Sequence, residues 1–132
     1  MSKPIVAISM GDPASIGPEI AVKALLQDAV YDSCRPLLVG DAVVFKQIID
    51  KLQLPAEVHA IQSVKQAGFV KGTIDVIDLG ITNISQLQFG KIDPNCGEAS
   101  FQAVKKMIEL AMAGEVAVAI PGVHQAMAGH LP

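Results

Sequence analysis

Short apolar runs alternate with helix-period segments along the chain, and this alternation constrains the fold more than any other feature of the sequence. The apolar runs predict buried strands at 4–9, 35–39, 57–61, 73–79 and 116–120. Apolar residues at helical spacing predict helices at 18–28, 41–52 and 95–113. Such alternation predicts an α/β fold, in which a largely parallel sheet is covered by helices on both faces. We interpret residues 1–132 as one unit, because no linker or repeat divides them.

Two helix starts carry polar capping residues. Asp41 follows Gly40 and is predicted to cap the helix that runs to Leu52. Asn95 can cap the last helix, and a glutamate follows three residues later, as in a capping box. Gly114 suits the left-handed stop of that helix. Within it one apolar stripe stands out, with Met107 and Leu110 beside it; its members are Phe101, Val104, Ile108 and Ala111.

Composition excludes several classes of protein. Hydrophobic residues make up 51% of the chain and charged residues 17%, so it is not a disordered chain. A net charge of −3 argues against a nucleic-acid partner, which would require clustered Lys and Arg. Cys34 and Cys96 form no C-x-x-C pair, so reduced cytoplasmic thiols fit better than a disulfide framework or a zinc site. Without a targeting segment or a run of ~20 apolar residues, we expect a cytoplasmic protein without a membrane partner.

The strongest motif is S-M-G-D-P-A-S-I-G-P-E at residues 9–19. It indicates a strand end, a tight turn containing Gly11, and a helix start at Gly17 and Pro18. A helix N-terminus offers backbone N–H groups to an anion, and ligands of open α/β sheets bind at the carboxyl ends of strands. The alternative is an ordinary strand-to-helix turn. The run matches neither G-x-G-x-x-G nor the phosphate loop that ends in G-K-[ST].

The run G-D-P-A-S-I-G-P-E-I resembles the G-D-P-A-G-[IV]-G-P-E-[IV] signature of the 4-hydroxythreonine-4-phosphate dehydrogenase family, with Ser15 in place of the usual glycine. The helix segment G-E-A-S-F-Q-A-V-K-K-M-I-E-L-A-M-A-G-E-V is also similar to that family. The resemblance implies a three-layer α/β/α fold like that of isocitrate and isopropylmalate dehydrogenases, here incomplete. It implies NAD as cofactor and a contact with it through four residues of the turn: Gly11, Asp12, Ile16 and Gly17.

The family resemblance continues more loosely at residues 120–132. After its central strand the family usually reads T-A-P-[IV]-[NH]-K-E-A, whereas here Gly122 is inserted and Gln125 replaces the lysine. The resemblance implies that His124 donates a hydrogen bond to the substrate; the alternative is an ordinary loop histidine. His59 and His130 are interpreted as structural or surface residues. The metal-binding histidines of the family would lie beyond Pro132, so no metal ligand is expected in this chain and the catalytic residues stay unknown.

The family's chemistry gives the expected function. The complete enzyme, a homodimer, uses NAD and a divalent metal to oxidise a small phosphorylated hydroxy acid of the 4-phosphohydroxy-threonine type in vitamin B6 synthesis. Related members act on phospho-threonate, phospho-erythronate or dihydrodiols, and the sequence does not separate these substrates. We expect the 132-residue chain alone to be inactive. The alternative is a non-catalytic product that serves as a folding or assembly module.

Overall fold

A single parallel sheet forms the centre of the molecule. The computed structural model describes residues 3–11, 13, 16–81 and 94–121, with the backbone alone for 94–96. The sheet has the order β3-β4-β2-β1-β5, and every neighbouring pair is parallel, as the alternating sequence pattern predicts. In chain order the strands are Ile5–Ser9 (β1), Arg35–Gly40 (β2), Glu57–Ile61 (β3), Thr73–Asp78 (β4) and Val118–Ile120 (β5).

Helices cover both faces of this sheet, which confirms the predicted α/β/α arrangement. They are Gly17–Ala24 (α1), Asp28–Ser33 (α2), Ala42–Leu52 (α3) and Pro94–Met112 (α4), with a 3₁₀ turn at Val64–Gln66. Helices α1 and α3 pack on one face, and α4 and the 3₁₀ turn pack on the other. Connections that run toward β3 lie on the first face and connections that run toward β5 lie on the second, as a single crossover hand requires.

Two apolar cores result from the alternation of side chains along the strands. In β2, Leu38 enters the core under α1 and α3, while Leu37 and Val39 enter the core under α4. All three are fully buried, because β2 lies at the centre of the sheet with helices on both sides. Phe45 of α3 and Met107 of α4 are large residues of the two respective cores. The segments that leave the strand ends therefore start from a sheet that is packed on both faces.

The helix predicted at 18–28 ends four residues early, and a second helix that the sequence did not predict follows it. Helix α1 ends at Ala24, and the extended backbone of Gln27 precedes α2. Helix α2 has no buried residue, so it carries no apolar periodicity that the sequence could reveal. None of the helices that the structure describes is both long and apolar enough to span a membrane.

Helix α4 packs on the sheet through a different stripe from the one singled out in the sequence. Ala103, Met107 and Leu110 are buried, whereas Phe101 is 60% and Ile108 is 49% exposed. The helix carries apolar residues on two flanks, and periodicity alone does not say which flank meets the sheet.

The ends of α4 were predicted more closely than its buried face. The helix begins at Pro94, so Asn95 lies within its first turn and the predicted N-cap at Asn95 is wrong. It ends at Met112, and Gly114 with φ of +76° confirms the predicted left-handed stop. The N–H of Glu115 donates a 2.9 Å hydrogen bond to the carbonyl of Leu110, which closes the last turn.

Candidate functional site

The carboxyl ends of β1, β2, β4 and β5 meet at one edge of the sheet. The strand register pairs Ser9 with Val39, Gly40 with Asp78, and Ile8 with Ile120. The segments that follow these strands therefore leave the sheet side by side. Gly11 after β1 and Pro121 after β5 thus lie at the same edge. In open α/β sheets this edge is where ligands bind.

The turn after β1 is tied closely to the neighbouring strand. The backbone N–H of Met10 donates a 2.8 Å hydrogen bond to the carbonyl of Val39. A Cβ atom on Gly40 would lie 2.5 Å from Cβ of Met10, so only glycine permits this approach. Gly11 then takes φ of +75°, a conformation that side chains with a Cβ rarely adopt. The two glycines allow the chain to turn sharply at the sheet edge.

Helix α1 begins at the far side of this turn. Ile16 occupies the N-cap position without a side-chain hydrogen bond, and its carbonyl accepts a 3.0 Å bond from the N–H of Ile20. Gly17 and Pro18 are the first helical residues and are buried. Gly17 has ordinary helical geometry. Of the two glycines in the motif, Gly11 and Gly17, only Gly11 has a positive φ.

The structure places three of the five predicted site residues. Gly11, Ile16 and Gly17 lie at the carboxyl edge, in the turn and at the start of α1. The side chain of Ile16 is 60% exposed, so it is available for an apolar contact. Asp12 and His124 lie outside the described residues, and their predicted roles stay predictions.

Two aspartates, Asp41 and Asp78, link neighbouring strand ends at the same edge. The sequence did not identify them as site residues. Asp41 is fully buried, and its Oδ1 accepts a 2.9 Å hydrogen bond from the N–H of Ile81. Asp78 Oδ1 accepts hydrogen bonds from the N–H groups of Ala42 and Gly80, both at 3.2 Å. Each carboxylate thus binds the backbone that follows the other strand. The signal in the sequence was Asp78 itself, a charged residue at the end of an apolar run.

The prediction that the side chain of Asp41 caps α3 is therefore wrong. Asp41 does occupy the N-cap position of α3, but its side chain makes no capping hydrogen bond. The first N–H of the helix is bound by Asp78 from the neighbouring strand instead. Because Asp41 points to the chain after β4, it links two strand ends rather than one helix to its own start.

These carboxylates do not form a metal site. Within residues 3–11, 13, 16–81 and 97–121, no group of three or more His, Cys, Asp or Glu side chains could hold a metal ion. The resemblance places the family's metal ligands beyond Pro132, so the described residues do not test that prediction. The start of α1 and the buried Gly11 lie together at the carboxyl edge, an arrangement that suits a phosphate-bearing cofactor such as NAD.

His59 lies in β3, where it pairs with Asp75 of β4. Its Nδ1 is 2.8 Å from Oδ1 of Asp75, and the two residues are register partners. The Asp75 carboxylate is 2% exposed and also accepts the N–H groups of Phe69 at 2.9 Å and Gly68 at 3.3 Å. These bonds hold the loop before β4, so the structural interpretation of His59 fits its contacts.

Cys34 is a free, partly buried thiol beside α2. Its Sγ lies 3.3 Å from the carbonyl of Val30, to which it donates a hydrogen bond. Burial raises the pKa of the Cys34 thiol, so the reactive thiolate is disfavoured at neutral pH. Neither its position nor its protonation state points to a catalytic role.

Comparisons with known proteins agree with the family that the sequence resembles. The family model described as pyridoxal phosphate biosynthetic protein PdxA matches residues 32–128. A Clostridium botulinum protein provisionally named a D-threonate 4-phosphate dehydrogenase is 42% identical over 115 residues, which are 87% of this chain and 34% of that protein. A Symbiobacterium thermophilum protein with the same provisional name is 39% identical over 115 residues, again 87% of this chain and 34% of that protein.

Solved structures give the same result. A 4-hydroxythreonine-4-phosphate dehydrogenase from Burkholderia phymatum superposes with a TM-score of 0.84 at 35% identity, over 88% of this chain and 35% of that one. A terephthalate 1,2-cis-dihydrodiol dehydrogenase from Burkholderia xenovorans superposes with a TM-score of 0.72 at 28% identity, over 97% of this chain and 36% of that one. The chain spans about a third of the length of the relatives it matches.

Proposed function

The chain belongs to the family of the pyridoxal phosphate biosynthetic protein PdxA, and from that premise we propose that it forms part of an NAD-dependent dehydrogenase. The substrate class is a small phosphorylated hydroxy acid, such as 4-phosphohydroxy-threonine. If NAD is bound there, it would supply the hydride acceptor for oxidation at the carbinol carbon. The observations that carry the proposal are the positive φ of Gly11 and the helix start at Gly17, both at the carboxyl edge of the sheet.

The geometry supports the proposed roles of three of the chain's residues. Gly11 lets the backbone approach a ligand closely, since it has no side chain and turns the chain at positive φ. The start of α1 at Gly17 favours a negative group, such as a phosphate of the cofactor. Ile16 offers exposed apolar surface to the cofactor or substrate. Asp12 would contribute a polar contact in the same turn, and His124 would donate a hydrogen bond to the substrate.

A second substrate is favoured by the curated relatives. Proteins provisionally named D-threonate 4-phosphate dehydrogenases are 36–42% identical to this chain, whereas the 4-hydroxythreonine-4-phosphate dehydrogenases of known structure are 32–36% identical. Both substrates are phosphorylated hydroxy acids with a short carbon chain. The proposal therefore holds for the class, and the choice within it depends on measurement. Cytoplasmic location, homodimer formation and use of a divalent metal stay predictions for the complete enzyme.

An assay of NADH formation tests the proposal. The 132-residue chain replaces the matched third of the Clostridium botulinum relative, and the chimera receives NAD, a divalent metal and each phosphorylated acid in turn. We expect NADH formation with at least one acid and a rise in KM for NAD with Ile16→Asp. Lys65→Asp, an exposed charge change on the 3₁₀ turn, is the matched control. A folded chimera that forms no NADH with either acid would contradict the proposal.

The isolated chain should not form NADH at a rate approaching the ~1–10³ per second of normal enzymes. Metal-dependent turnover by a chain of verified mass would show that the machinery is complete within 132 residues. Turnover by neither the chain nor the chimera would favour the alternative, a non-catalytic folding or assembly module.

A further inference from the structure

Gly40, the last residue of β2, lies against the residue that begins the turn after β1. A Cβ atom built on Gly40 would lie 2.5 Å from Cβ, 3.0 Å from Sδ and 3.2 Å from Cγ of Met10. The side chain of Met10 is therefore in contact with the Cα atom of Gly40 and leaves no space for a methyl group. The φ angle of Gly40 is not positive, so the contact with Met10, and not the backbone conformation, is what requires glycine at this position.

Met10 connects the turn after β1 to the apolar core. It is 1% exposed and belongs to the core under α1 and α3, and Gly11 follows it directly in the chain. Helix α1, at the other end of the turn, enters the same core through Ala21 and Val22. Both ends of the turn are thus fixed by one core. The depth at which Met10 enters that core therefore affects where Gly11 lies relative to the start of α1.

Gly40 itself is not available to a ligand. It is buried, its carbonyl accepts a 2.8 Å hydrogen bond from the N–H of Leu79, and Met10 lies over its Cα atom. An effect of position 40 on a bound cofactor must therefore pass through Met10. The missing side chain of Gly40 lets the turn lie closer to β2 than any larger residue would permit.

We propose that Gly40 is a positioning residue for the cofactor, because it sets the depth of Met10 and thereby the distance between Gly11 and the start of α1 at Gly17. This role rests on the proposed NAD site, and it adds a residue of β2 to a site built from the turn and α1. If Gly40 had a packing role alone, a larger residue would lower stability and leave the affinity for NAD unchanged. The two roles therefore differ in a measurable way.

The first comparison uses two glycines in the chimera with the Clostridium botulinum relative. Gly40→Ala should raise KM for NAD about tenfold or more, since a displacement of about 1 Å in a site can cost about a hundredfold. The value of kcat should stay within about twofold, because the change weakens binding and touches no reacting group. Gly68→Ala is the matched control and should leave KM unchanged, since its Cβ would meet no atom closer than Cγ2 of Val70 at 4.0 Å.

The second comparison separates position from stability. Met10→Ala and Met107→Ala remove the same atoms from two buried positions, one in each of the two cores. Both should lower Tm, because each leaves a cavity, but only Met10→Ala should raise KM for NAD. In the double variant of Gly40→Ala with Met10→Ala, KM should rise by less than the product of the two single changes, because the two residues are in contact.

Three kinetic results would overturn the proposal. They are an unchanged KM in Gly40→Ala, the same KM in the two methionine variants, and single changes that multiply in the double variant. If Gly40→Ala does not fold, the comparison of Met10→Ala with Met107→Ala decides, because both keep the glycine.

Backbone amide resonances of the isotope-labelled chain without NAD distinguish this proposal from the proposed function. Gly40→Ala should shift the resonances of Gly11 and Gly17, and Gly68→Ala should shift neither. If Gly40→Ala does not fold, Met10→Ala should shift the resonance of Gly17. A parent chimera that forms no NADH, together with these shifts, would count against the proposed activity and leave the positioning role intact. Unshifted resonances would overturn the positioning role, whatever the activity of the chimera.

Discussion

The carboxylate of Asp41 accepts a 2.9 Å hydrogen bond from the backbone N–H of Ile81, forty residues further along the chain. Asp78 makes the reciprocal connection by binding the N–H of Ala42, the first residue of α3. The ends of β2 and β4 are thereby joined by side chains beyond the last backbone bond of the sheet, from Leu79 to Gly40 at 2.8 Å. These bonds join two strand ends at the edge where we place the ligand.

Replacement of Asp41 tests the strength of that connection. Asp41→Ala leaves the N–H of Ile81 without its acceptor and a cavity in a fully buried position, so stability should fall by about 1–3 kcal/mol. Urea unfolding followed by circular dichroism measures the change. Asp50→Ala, at an exposed position of α3, is the control and should stay within about 0.5 kcal/mol of the parent. Equal stability of the two variants would show that water replaces the carboxylate at no cost.

Gly11 should lose stability when it gains a Cβ atom. Gly11→Ala forces alanine to φ near +75° and should cost about 1–2 kcal/mol. Gly97→Ala is the opposite control: a Cβ on this helical glycine would meet no heavy atom within 4 Å, so alanine should raise stability by about 0.5–1 kcal/mol. Denaturation midpoints of the two variants should therefore move in opposite directions. Movement in the same direction would contradict the backbone geometry at Gly11.

Removal of the Asp75 carboxylate should lower stability more than removal of the His59 imidazole, which is one of its hydrogen-bond partners. Asp75→Ala removes the acceptor for two backbone N–H groups and for His59 in a buried position, which should cost about 2–3 kcal/mol. His59→Ala removes one half-exposed partner and should cost about 1 kcal/mol or less. Thermal unfolding of both variants checks the order. A larger loss for His59→Ala would mean that the imidazole, not the loop backbone, is the main partner of this carboxylate.

Much of the fold could be predicted because local and tertiary signals agree. A buried parallel strand needs a continuous apolar run, and β2, which is buried from Pro36 to Gly40, is found within one residue of its predicted bounds. The edge strand β3 also matches its predicted bounds, although most of it is exposed or half-buried. Helix α2 was missed because nothing in it is buried, and the face of α4 was misjudged because both Phe101 and Met107 belong to plausible apolar stripes. Which stripe meets the sheet depends on what else the protein packs there.

The candidate site was predictable in place but not in detail. The positive φ of Gly11 follows from a glycine at the end of a strand, and the shared edge follows from parallel topology. The connection between Asp41 and Asp78 depends on strand order, since β2 and β4 are neighbours although β3 lies between them in the chain. A single sequence shows residue types at these positions but not which strands lie side by side.

The most direct test of the central claim is titration of the isotope-labelled chain with NAD, followed by the backbone amide resonances. The account predicts shifts concentrated at Gly11, Ile16 and Gly17, with weak affinity because the chain spans about a third of its relatives and offers little enclosure. Glu57 and Lys65, exposed residues on and beside β3, should not shift. Shifts confined to those distant positions, or no shift at millimolar NAD, would contradict a cofactor site at the carboxyl edge.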